Sequence, residues 1–593
     1  MALAIGLDQE KFTFRMVGAG QRKDRIRITA EWVLAQFEQF YREFLEVPYQ
    51  AKTAFEQQHH STSIWLSRYR LSLYSSYIHR MGAYLKAIQP NISIDASFLN
   101  QLEDHFWRMV EDRYESDVAY AFMHSIRRMV YRDEWKPVEY SFWGSAQSAD
   151  EYPDELLKQF DGNGEVTPAL LQQILQVPDF STRYRDIEKD SAAICARINR
   201  FAARRHLRVG TIEMVDAGFF RNRGAYLVGR IRFDDGSFTP LMIALLNCDE
   251  GVYCDAVILD QNLAHNLFSS TLANFHVTTR FYHELSAYLH SLMPHRALGL
   301  HYSTIGYNHV GKVAVMKELK QELENTGGVL DTAIGEPGTV AIGFSGSASA
   351  YNLKVIRNHP TEGYKWGEFE GIDSVKAKYS RVHEINRTGS MLDNIIYFNI
   401  ALEQRLFSPQ LLEELLSEAS DTVSLQRGNV VFKYLIVQPR MTPLPVFLEN
   451  ADEREVRYVI ENLGDCIKNN AAANIFNKDL DARNYGVSHF LKVYLFDYDA
   501  LEDFLEVKVR SNLDRIDGEE DIPDWYFEDG VIFLPEEIEA GLCIRNREQR
   551  MLFRQMHGDL YSTGYWENLQ QELGQNQVPA IKVYPDSCRL HTT

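Results

Sequence analysis

The sequence predicts an α+β fold: a mainly helical N-terminal domain with a small sheet, followed by a C-terminal domain of two lobes. Aromatic and aliphatic residues recur at helical spacing between about residues 30 and 130. Between about 207 and 260 the pattern changes to short apolar runs separated by turn residues, which is typical of strands. Beyond them the composition shifts toward glycine and serine. We therefore expect two domains, residues 1–328 and 329–593.

Helices of the N-terminal domain are predicted from stripes such as Val33, Phe37 and Phe40, which fall on one face of a helix. Stripes of this kind are typical of core packing. A polar stretch at about 153–164 interrupts the apolar pattern and predicts a break in regular structure. Two apolar runs within 226–246 flank a glycine-containing turn and predict a hairpin of the small sheet.

Several histidines lie close together near the end of this domain. They are His283, His290, His295, His301 and His309. A metal site is one interpretation of this cluster. The segment has no His-Glu-x-x-His pattern and no well-placed acidic ligand, so histidines of ordinary helices and loops are the favoured interpretation.

Composition and charge limit the classes of function. The chain has 593 residues, 45% of them apolar, and a formal net charge of −20. Neutralising nucleic-acid phosphates requires surplus lysine and arginine, so a nucleic-acid partner is not expected. No apolar run reaches the length of about 18 residues that a membrane-spanning helix needs. The six scattered cysteines include no Cys-x-x-Cys pair, and together these features predict a cytoplasmic protein without a membrane partner.

The segment with the strongest chemical signal is 474–499. Asp479 and Asn484 stand five positions apart, and Asp497 follows thirteen positions later. The apolar runs between Asn484 and Asp497 predict a tight hairpin that ends in an acid. In the protein-kinase plan a catalytic Asp is followed five positions later by a metal-binding Asn and, beyond a strand pair, by a metal-binding Asp. We therefore predict Asp479 as the proton acceptor and Asn484 and Asp497 as Mg²⁺ ligands.

A loop of small residues precedes an apolar strand near the start of the second domain. It consists of Ala333, Ile334, Gly335, Glu336, Pro337, Gly338 and Thr339. Such a loop lets backbone N–H groups approach phosphates, and Lys354 on a following strand would supply positive charge to ATP. The loop matches neither the usual kinase Gly-x-Gly-x-x-Gly nor the Walker pattern. A glycine-rich hairpin with an exposed lysine is the alternative.

A helix over about 374–388 is predicted to follow Lys354. It contains Glu384, a candidate for an ion pair with that lysine in the kinase plan. Glu368 and Glu370 compete for this role, so the partner of Lys354 stays open.

The remaining parts follow in the order of a protein kinase. An apolar strand over 430–437 leads to a hinge, and an amphipathic helix over 456–467 runs into the catalytic segment. This order predicts a bilobal protein-kinase-like domain with an N-lobe at about 329–438 and a C-lobe at about 439–593. The structural alternative is that Asp479 caps a turn and that the acid after the hairpin only closes it.

Several segments match the pattern of a known family. They are Phe-Phe-Arg-Asn-Arg-Gly-Ala-Tyr-Leu-Val-Gly at 219–229, Leu-Lys-Val-Ile at 353–356, Ala-Ala-Asn-Ile-Phe at 472–476, Asn-Tyr-Gly-Val at 484–487, Phe-Asp-Tyr-Asp at 496–499 and Leu-Pro-Glu-Glu at 534–537. Through these segments the chain resembles the bacterial isocitrate dehydrogenase kinase/phosphatase family over nearly its whole length.

The resemblance implies an N-terminal regulatory domain and a kinase-like catalytic domain. It implies one ATP- and Mg²⁺-dependent site that phosphorylates a serine of isocitrate dehydrogenase and also removes that phosphate. Such an enzyme divides isocitrate between the citric acid cycle and the glyoxylate bypass. AMP or ADP is implied as an effector bound between the domains.

The resemblance also assigns residues. The loop at 333–339 and Lys354 match the nucleotide-binding positions, and the acids and amide of the catalytic segment match the catalytic and metal positions. Asp393 matches an acid implicated in the phosphatase direction. From the residues alone, Asp393 is interpreted as a helix-end or turn aspartate. Whether the protein is a monomer or a homodimer stays open.

The sequence departs from the family pattern inside the site. Lys478 and Arg483 stand where the family carries Gly and Lys, and Asp481 stands where it carries an apolar residue. Glu336 adds negative charge to the nucleotide loop. One alternative is therefore a kinase-shaped regulatory protein that binds nucleotide and a partner with one or both activities lost. Another is a small-molecule kinase of the same lobe plan.

Overall fold

The computed structural model describes residues 21–88, 94–130, 152–269, 274–326, 328–335, 337–362, 369, 371–385, 388–498, 500–511 and 529–590. Glu336, Glu368, Glu370 and Asp499, together with the side chain of Glu384, lie outside the described residues. Among the helices of the described ranges, none has the apolar length that crossing a lipid bilayer requires.

Helices in the described part of the N-terminal region pack through an aromatic core. They are α1 (Arg22–Glu56), α2 (His60–Ile88), α3 (Ala96–Val110) and α4 (Ser116–Val130). Phe37 and Phe40 of α1 are buried, and their ring centroids lie 5.5 and 5.6 Å from that of Phe122 in α4. The prediction that this stripe forms core packing is confirmed.

A seven-stranded antiparallel sheet follows. Its strands are β1 (Leu157–Gly164), β2 (Val209–Val215), β3 (Phe219–Arg221), β4 (Gly224–Phe233), β5 (Phe238–Cys248), β6 (Gly251–Ile258) and β7 (His276–Val277). The predicted hairpin over 226–246 is confirmed as the β4–β5 pair. The polar stretch that was expected to break regular structure instead forms β1, an edge strand that pairs with β2. Main-chain hydrogen bonds hold β1 while most of its side chains face solvent, so it shows no apolar alternation.

Helices cover both faces of this seven-stranded sheet. They are α5 (Pro168–Leu175), α6 (Ile187–Arg204), α7 (Gln261–Phe268), α8 (Tyr282–Leu292), α9 (Leu298–Thr304) and α10 (Asn308–Thr326). Leu227 and Ile243 share a core cluster with α5 and α6, whereas Val228 and Met242 share one with α1 to α4. Alternate side chains of each strand therefore enter two different cores.

The kinase N-lobe contains a six-stranded sheet. Its elements are β8 (Leu330–Thr332), β9 (Ala341–Gly346), β10 (Tyr351–Ile356), α11 (Ile372–Ile385), β11 (Ile395–Glu403), α12 (Pro409–Glu418), β12 (Val423–Gln426) and β13 (Asn429–Pro439). The strands run in the order β11-β13-β10-β9-β8, with β12 paired to β13. The strand predicted over 430–437 is confirmed as part of β13, and the helix predicted over about 374–388 is confirmed as α11.

The C-lobe is mainly helical. Its elements are β14 (Thr442–Pro443), α13 (Leu444–Asn450), α14 (Glu453–Ala472), β15 (Ile475–Asn477), β16 (Tyr485–Val487), β17 (Val493–Leu495), β18 (Leu501–Asp503), β19 (Lys508–Val509), β20 (Ile532–Phe533), α15 (Ile538–Leu542), α16 (Arg547–Met556) and α17 (Thr563–Gly574). A capping box formed by Asp452 and Glu455 begins α14. The helix leads directly into β15 and the catalytic segment, as predicted.

Candidate active site

The predicted nucleotide loop, residues 333–339, connects β8 to β9 and is anchored at both ends. Ala333 N donates to Gly343 O at 2.9 Å, and Gly338 O accepts from Arg357 Nε at 3.2 Å. The loop thus occupies the place of the glycine-rich loop in the kinase plan, between the first two strands of the N-lobe.

The tip of the nucleotide loop extends toward the C-lobe. Gly335 has a φ of +120°, and a Cβ placed there would lie 3.1 Å from Pro443 Cγ. Both the backbone conformation and the close approach favour glycine. Ile334 and Pro337 are exposed, so these residues of the tip are in contact with solvent.

Lys354 lies at the centre of the N-lobe sheet. It is half-buried on β10, opposite Gly343 of β9 and Ile436 of β13. Its Nζ lies 5.1 Å from the ring centroid of Phe496 and 5.7 Å from that of Tyr379. The lysine therefore extends from the nucleotide-loop side of the sheet toward the segment that carries Asp497.

Asp479 and Asn484 belong to one closed loop after β15. Asp479 N donates to Asn477 Oδ1 at 3.1 Å, and Asn484 Nδ2 donates to Asp479 O at 2.9 Å. Both side chains are half-buried. Because the amide nitrogen of Asn484 is engaged with the loop, its Oδ1 is the atom left to meet a cation.

The hairpin predicted between Asn484 and Asp497 is confirmed as β16 and β17. Tyr485 pairs with Leu495, and Phe496 N donates to Asn484 O at 3.0 Å. Asn484 and Asp497 therefore flank the same end of the hairpin, and Asp497 is half-buried. An amide oxygen and a carboxylate at the same end of a hairpin fit Mg²⁺, which takes one or two protein oxygens and completes its shell with water and phosphate.

Asp393 lies on an extended segment rather than at a helix end. Leu392 N donates to Leu495 O at 2.8 Å, so this segment runs beside β17. Asp393 is 6% exposed. The pKa of Tyr498 is raised well above its ordinary value, first by burial and then by the charges of Asp393 and Asp497. Both carboxylates thus lie near one tyrosine, a proximity that the sequence interpretation did not contain.

The residues that depart from the family pattern after β15 form ion pairs within this chain. Asp481 accepts from Arg483 N at 2.8 Å, and the guanidinium of Arg483 lies 2.9 Å from its carboxylate. Lys478 Nζ donates to Glu502 Oε1 at 2.9 Å. The extra acid and the arginine therefore compensate each other's charge.

Sequence reasoning missed Arg440, which follows the hinge strand. Its Nη1 donates to Ser347 O at 2.8 Å, and its N donates to Ala350 O at 2.8 Å. These bonds hold the β9–β10 turn against the hinge. No local pattern marks the residue, because its acceptors are main-chain oxygens, one of them 93 positions away.

Among the five clustered histidines, His283 and His301 are buried and His295 is exposed. His283 Nδ1 is 2.9 Å from Tyr302 Oη, and His309 is stacked on Tyr74 with centroids 3.4 Å apart. Within the described residues, no group of three or more His, Cys, Asp or Glu side chains is arranged to hold a metal ion. A Mg²⁺ site at Asn484 and Asp497 is compatible with this finding, because Mg²⁺ needs few protein ligands.

Two family models match the chain. One, described as isocitrate dehydrogenase kinase/phosphatase (AceK), regulatory domain, matches residues 30–327. The other, described as isocitrate dehydrogenase kinase/phosphatase (AceK) kinase domain, matches residues 329–586.

Curated relatives share both regions. A protein of Rhodopseudomonas palustris (strain HaA2) named isocitrate dehydrogenase kinase/phosphatase is 45% identical over 575 residues, covering 96% of this chain and 94% of that protein. A protein of the same name from Rhodopseudomonas palustris (strain ATCC BAA-98 / CGA009) is 44% identical, covering 96% and 93%. One from Anaeromyxobacter sp. (strain Fw109-5) is 28% identical, covering 94% and 97%. The chain therefore belongs to the isocitrate dehydrogenase kinase/phosphatase family.

Proposed function

We propose that this protein is an ATP- and Mg²⁺-dependent enzyme that phosphorylates a serine of isocitrate dehydrogenase and also removes the phosphate. Flux between the citric acid cycle and the glyoxylate bypass would follow from the balance of the two activities. The observation that carries the proposal is the closed arrangement of Asp479, Asn484 and Asp497 opposite Lys354 and the nucleotide loop. The names of the full-length relatives support the protein substrate.

In the kinase direction each residue has a role that its position supports. Backbone groups of residues 333–339 hold the ATP phosphates, and Lys354 orients them. Asp479 accepts the proton of the attacking serine hydroxyl. Asn484 and Asp497 would hold Mg²⁺, which when bound neutralises charge on the phosphates. The reaction then depends on positioning and charge compensation, which this site can supply.

In the phosphatase direction Asp393 is proposed as a further acid of the same site. Its buried carboxylate and that of Asp497 both lie near Tyr498, whose pKa their charges help to raise. A second acid beside the metal position can orient or deprotonate a water molecule, which the kinase direction must exclude. One site could thus serve both reactions with different acids.

We further propose residues 1–328 as the regulatory unit and 329–593 as the catalytic unit, with AMP or ADP as effectors between them. A small cavity of about 20 Å³, with room for about one water molecule, lies at their boundary. It is lined by Arg296 and Thr304 from the first unit and by Asp393 and Gln438 from the second. An effector nucleotide bound there would have to widen the cavity and would then contact both units.

The test uses the purified full-length protein, isocitrate dehydrogenase and Mg²⁺ with γ-labelled ATP, and assays label transfer and label release separately. Asp479→Asn is expected to lower transfer by about 10²- to 10⁴-fold while nucleotide binding persists. Asp503→Asn is the matched control, since Asp503 forms an exposed ion pair with Arg381. Asp393→Asn should lower release more than transfer.

Other results would select other functions. Nucleotide binding without transfer or release in the wild type would favour a regulatory protein that has lost both activities. The pair at Asp481 and Arg483 and the bonded Lys478 are the departures that motivate this candidate. Label transfer to a metabolite, with the dehydrogenase unmodified, would identify a small-molecule kinase.

A further inference from the structure

The β16–β17 hairpin extends from the candidate active site into the regulatory region. Asn484 comes just before the first strand of the hairpin, and Asp497 follows shortly after the second. The tip of the hairpin, residues 488–492, lies against α7. The tip is a compact turn, because Ser488 N donates to Lys492 O at 2.9 Å and Lys492 N donates to Ser488 Oγ at 3.1 Å. A turn closed in this way moves as one body with the strands that it joins.

A ring stack and two hydrogen bonds hold the hairpin tip on α7. One hydrogen bond is donated by α7 to the tip, and the other is donated by the tip to α7. The ring of Phe490 is stacked on His265, with centroids 3.7 Å apart and planes at 11°. Asn266 Nδ2 donates to Phe490 O at 2.9 Å, and Lys492 Nζ donates to Asn266 O at 2.9 Å. Burial lowers the pKa of His265 to about 3, so the ring that Phe490 covers is neutral near pH 7.

Lys492 is an unusual residue for such a contact. It is 8% exposed, and its Nζ lies 5.4 Å from the ring centroid of Tyr494. Burial of an amino group opposes folding, and an apolar side chain of the same length would fill the space at lower cost. The bond from Lys492 to Asn266 O therefore serves the placement of the tip more than stability.

The strands connect the tip rigidly to the metal position. β16 and β17 pair along their whole length, and Phe496 N donates to Asn484 O immediately beyond them. Three residues per strand span about 10 Å. A displacement of the tip on α7 would therefore be carried to Asn484 and Asp497 with little loss.

We propose that Phe490 and Lys492 are positioning residues, whose docking on α7 sets the relative placement of Asn484 and Asp497. The docking thereby sets how tightly the kinase site binds a divalent cation. The inference rests on the proposed function, which assigns the cation to these two residues. It makes α7 the element through which the regulatory region acts on the metal position.

The test measures Mn²⁺ binding by electron paramagnetic resonance, using the full chain with a non-hydrolysable ATP analogue. Lys492→Met and Phe490→Ala are each expected to weaken Mn²⁺ binding by about 5-fold or more, the lower end of the usual coupling between sites. Phe490→Tyr keeps the stacked ring and should restore wild-type binding. Binding of the analogue without metal should stay the same in every variant.

A control separates this coupling from a general loosening of the two regions. Tyr584 donates to Asp255 Oδ2 of the regulatory sheet at 2.6 Å, a contact that includes no residue of the hairpin or of α7. Tyr584→Phe should leave Mn²⁺ binding unchanged. Thermal unfolding of each variant shows that the protein is folded at the temperature of the titration; if Phe490→Ala is unfolded there, Lys492→Met decides.

The outcomes distinguish this inference from the proposed function. Unchanged Mn²⁺ binding in folded Lys492→Met and Phe490→Ala would overturn the inference even if the enzyme transfers phosphate. An equal loss of Mn²⁺ binding in Tyr584→Phe would also overturn the inference, because the effect would then not be specific to the hairpin. Weakened Mn²⁺ binding in a protein whose wild type transfers no phosphate would refute the function and leave the inference intact.

Discussion

The two large sheets of this molecule share antiparallel pairing but differ in how their faces are covered. In the regulatory sheet, β4 and β5 are buried on both faces, and Leu227 and Ile243 are fully enclosed. In the N-lobe sheet, β10 alternates, so that Leu353 is buried whereas Lys354 is half-buried and reaches toward the catalytic segment.

This difference separates stability from chemistry. A sheet with a core on each side has no position where a polar group can meet a ligand, so its side chains contribute to the free energy of unfolding. A sheet with one face open to a cleft can place a lysine there at little cost. Substitutions in the two sheets should therefore affect different measurements.

The largest effect is expected in the regulatory sheet. Ile243→Ala removes a fully buried side chain that pairs with Leu227 and Val257, and should lower the free energy of unfolding by roughly 2–5 kcal/mol. Denaturant unfolding measures it, and the folded fraction should keep its activity. Leu425→Ala, at a residue 43% exposed in β12, is the control and should change stability by about 0.5 kcal/mol or less. Equal losses would break the comparison.

In the N-lobe sheet, a substitution at the open face should lower activity and leave stability nearly unchanged. Lys354→Met removes the charge but keeps an apolar stem beside Phe496 and Tyr379, so the unfolding midpoint should hardly move. Phosphate transfer should fall on the order of 10²-fold. Lys433→Met, at an exposed lysine of the neighbouring β13, is the matched control. Full activity in Lys354→Met would remove this lysine from the site.

A smaller effect, dependent on pH, is expected at Lys492 between the regulatory region and the hairpin. Burial, aided by Arg221 and Arg296, lowers the pKa of Lys492 from 10.5 to about 7. Between these values the unfolded chain binds more protons than the folded chain, so this group's contribution to stability falls as pH decreases from about 10.5 to about 7. The melting temperature of Lys492→Met, relative to that of the wild type, should therefore rise as pH is lowered through that interval. A constant difference in melting temperature would contradict the lowered pKa.

The smallest effect is expected for the pair formed by Asp481 and Arg483. The side chain of Arg483 is 51% exposed and that of Asp481 is 11% exposed; ion pairs with one partner in solvent are screened, and surface pairs contribute about 0–1 kcal/mol. Arg483→Ala should therefore change stability little, and the double variant with Asp481→Ala should resemble it. A Mg²⁺ requirement that changes in Arg483→Ala, but not in the double variant, would show that Arg483 shields the metal position from the extra acid.

Much of the fold could be predicted because its signals are local. The α1 stripe, the β4–β5 hairpin, the hinge strand and the β16–β17 hairpin each follow from neighbours within about ten residues. The strand β1 was missed because its exposed edge position removes the apolar alternation on which prediction depends. The roles of the predicted site residues stay predictions, which the variants above test.

By itself the sequence determined the two-part α+β order and the short segment in which Asp479, Asn484 and Asp497 must lie close together. Only the tertiary structure decided that Asp393 lies beside β17 and that Phe490 stacks on His265. The physical reason is the separation along the sequence of the residues that interact. Secondary structure and turns follow from near-neighbour patterns, whereas contacts between distant segments depend on how whole cores pack.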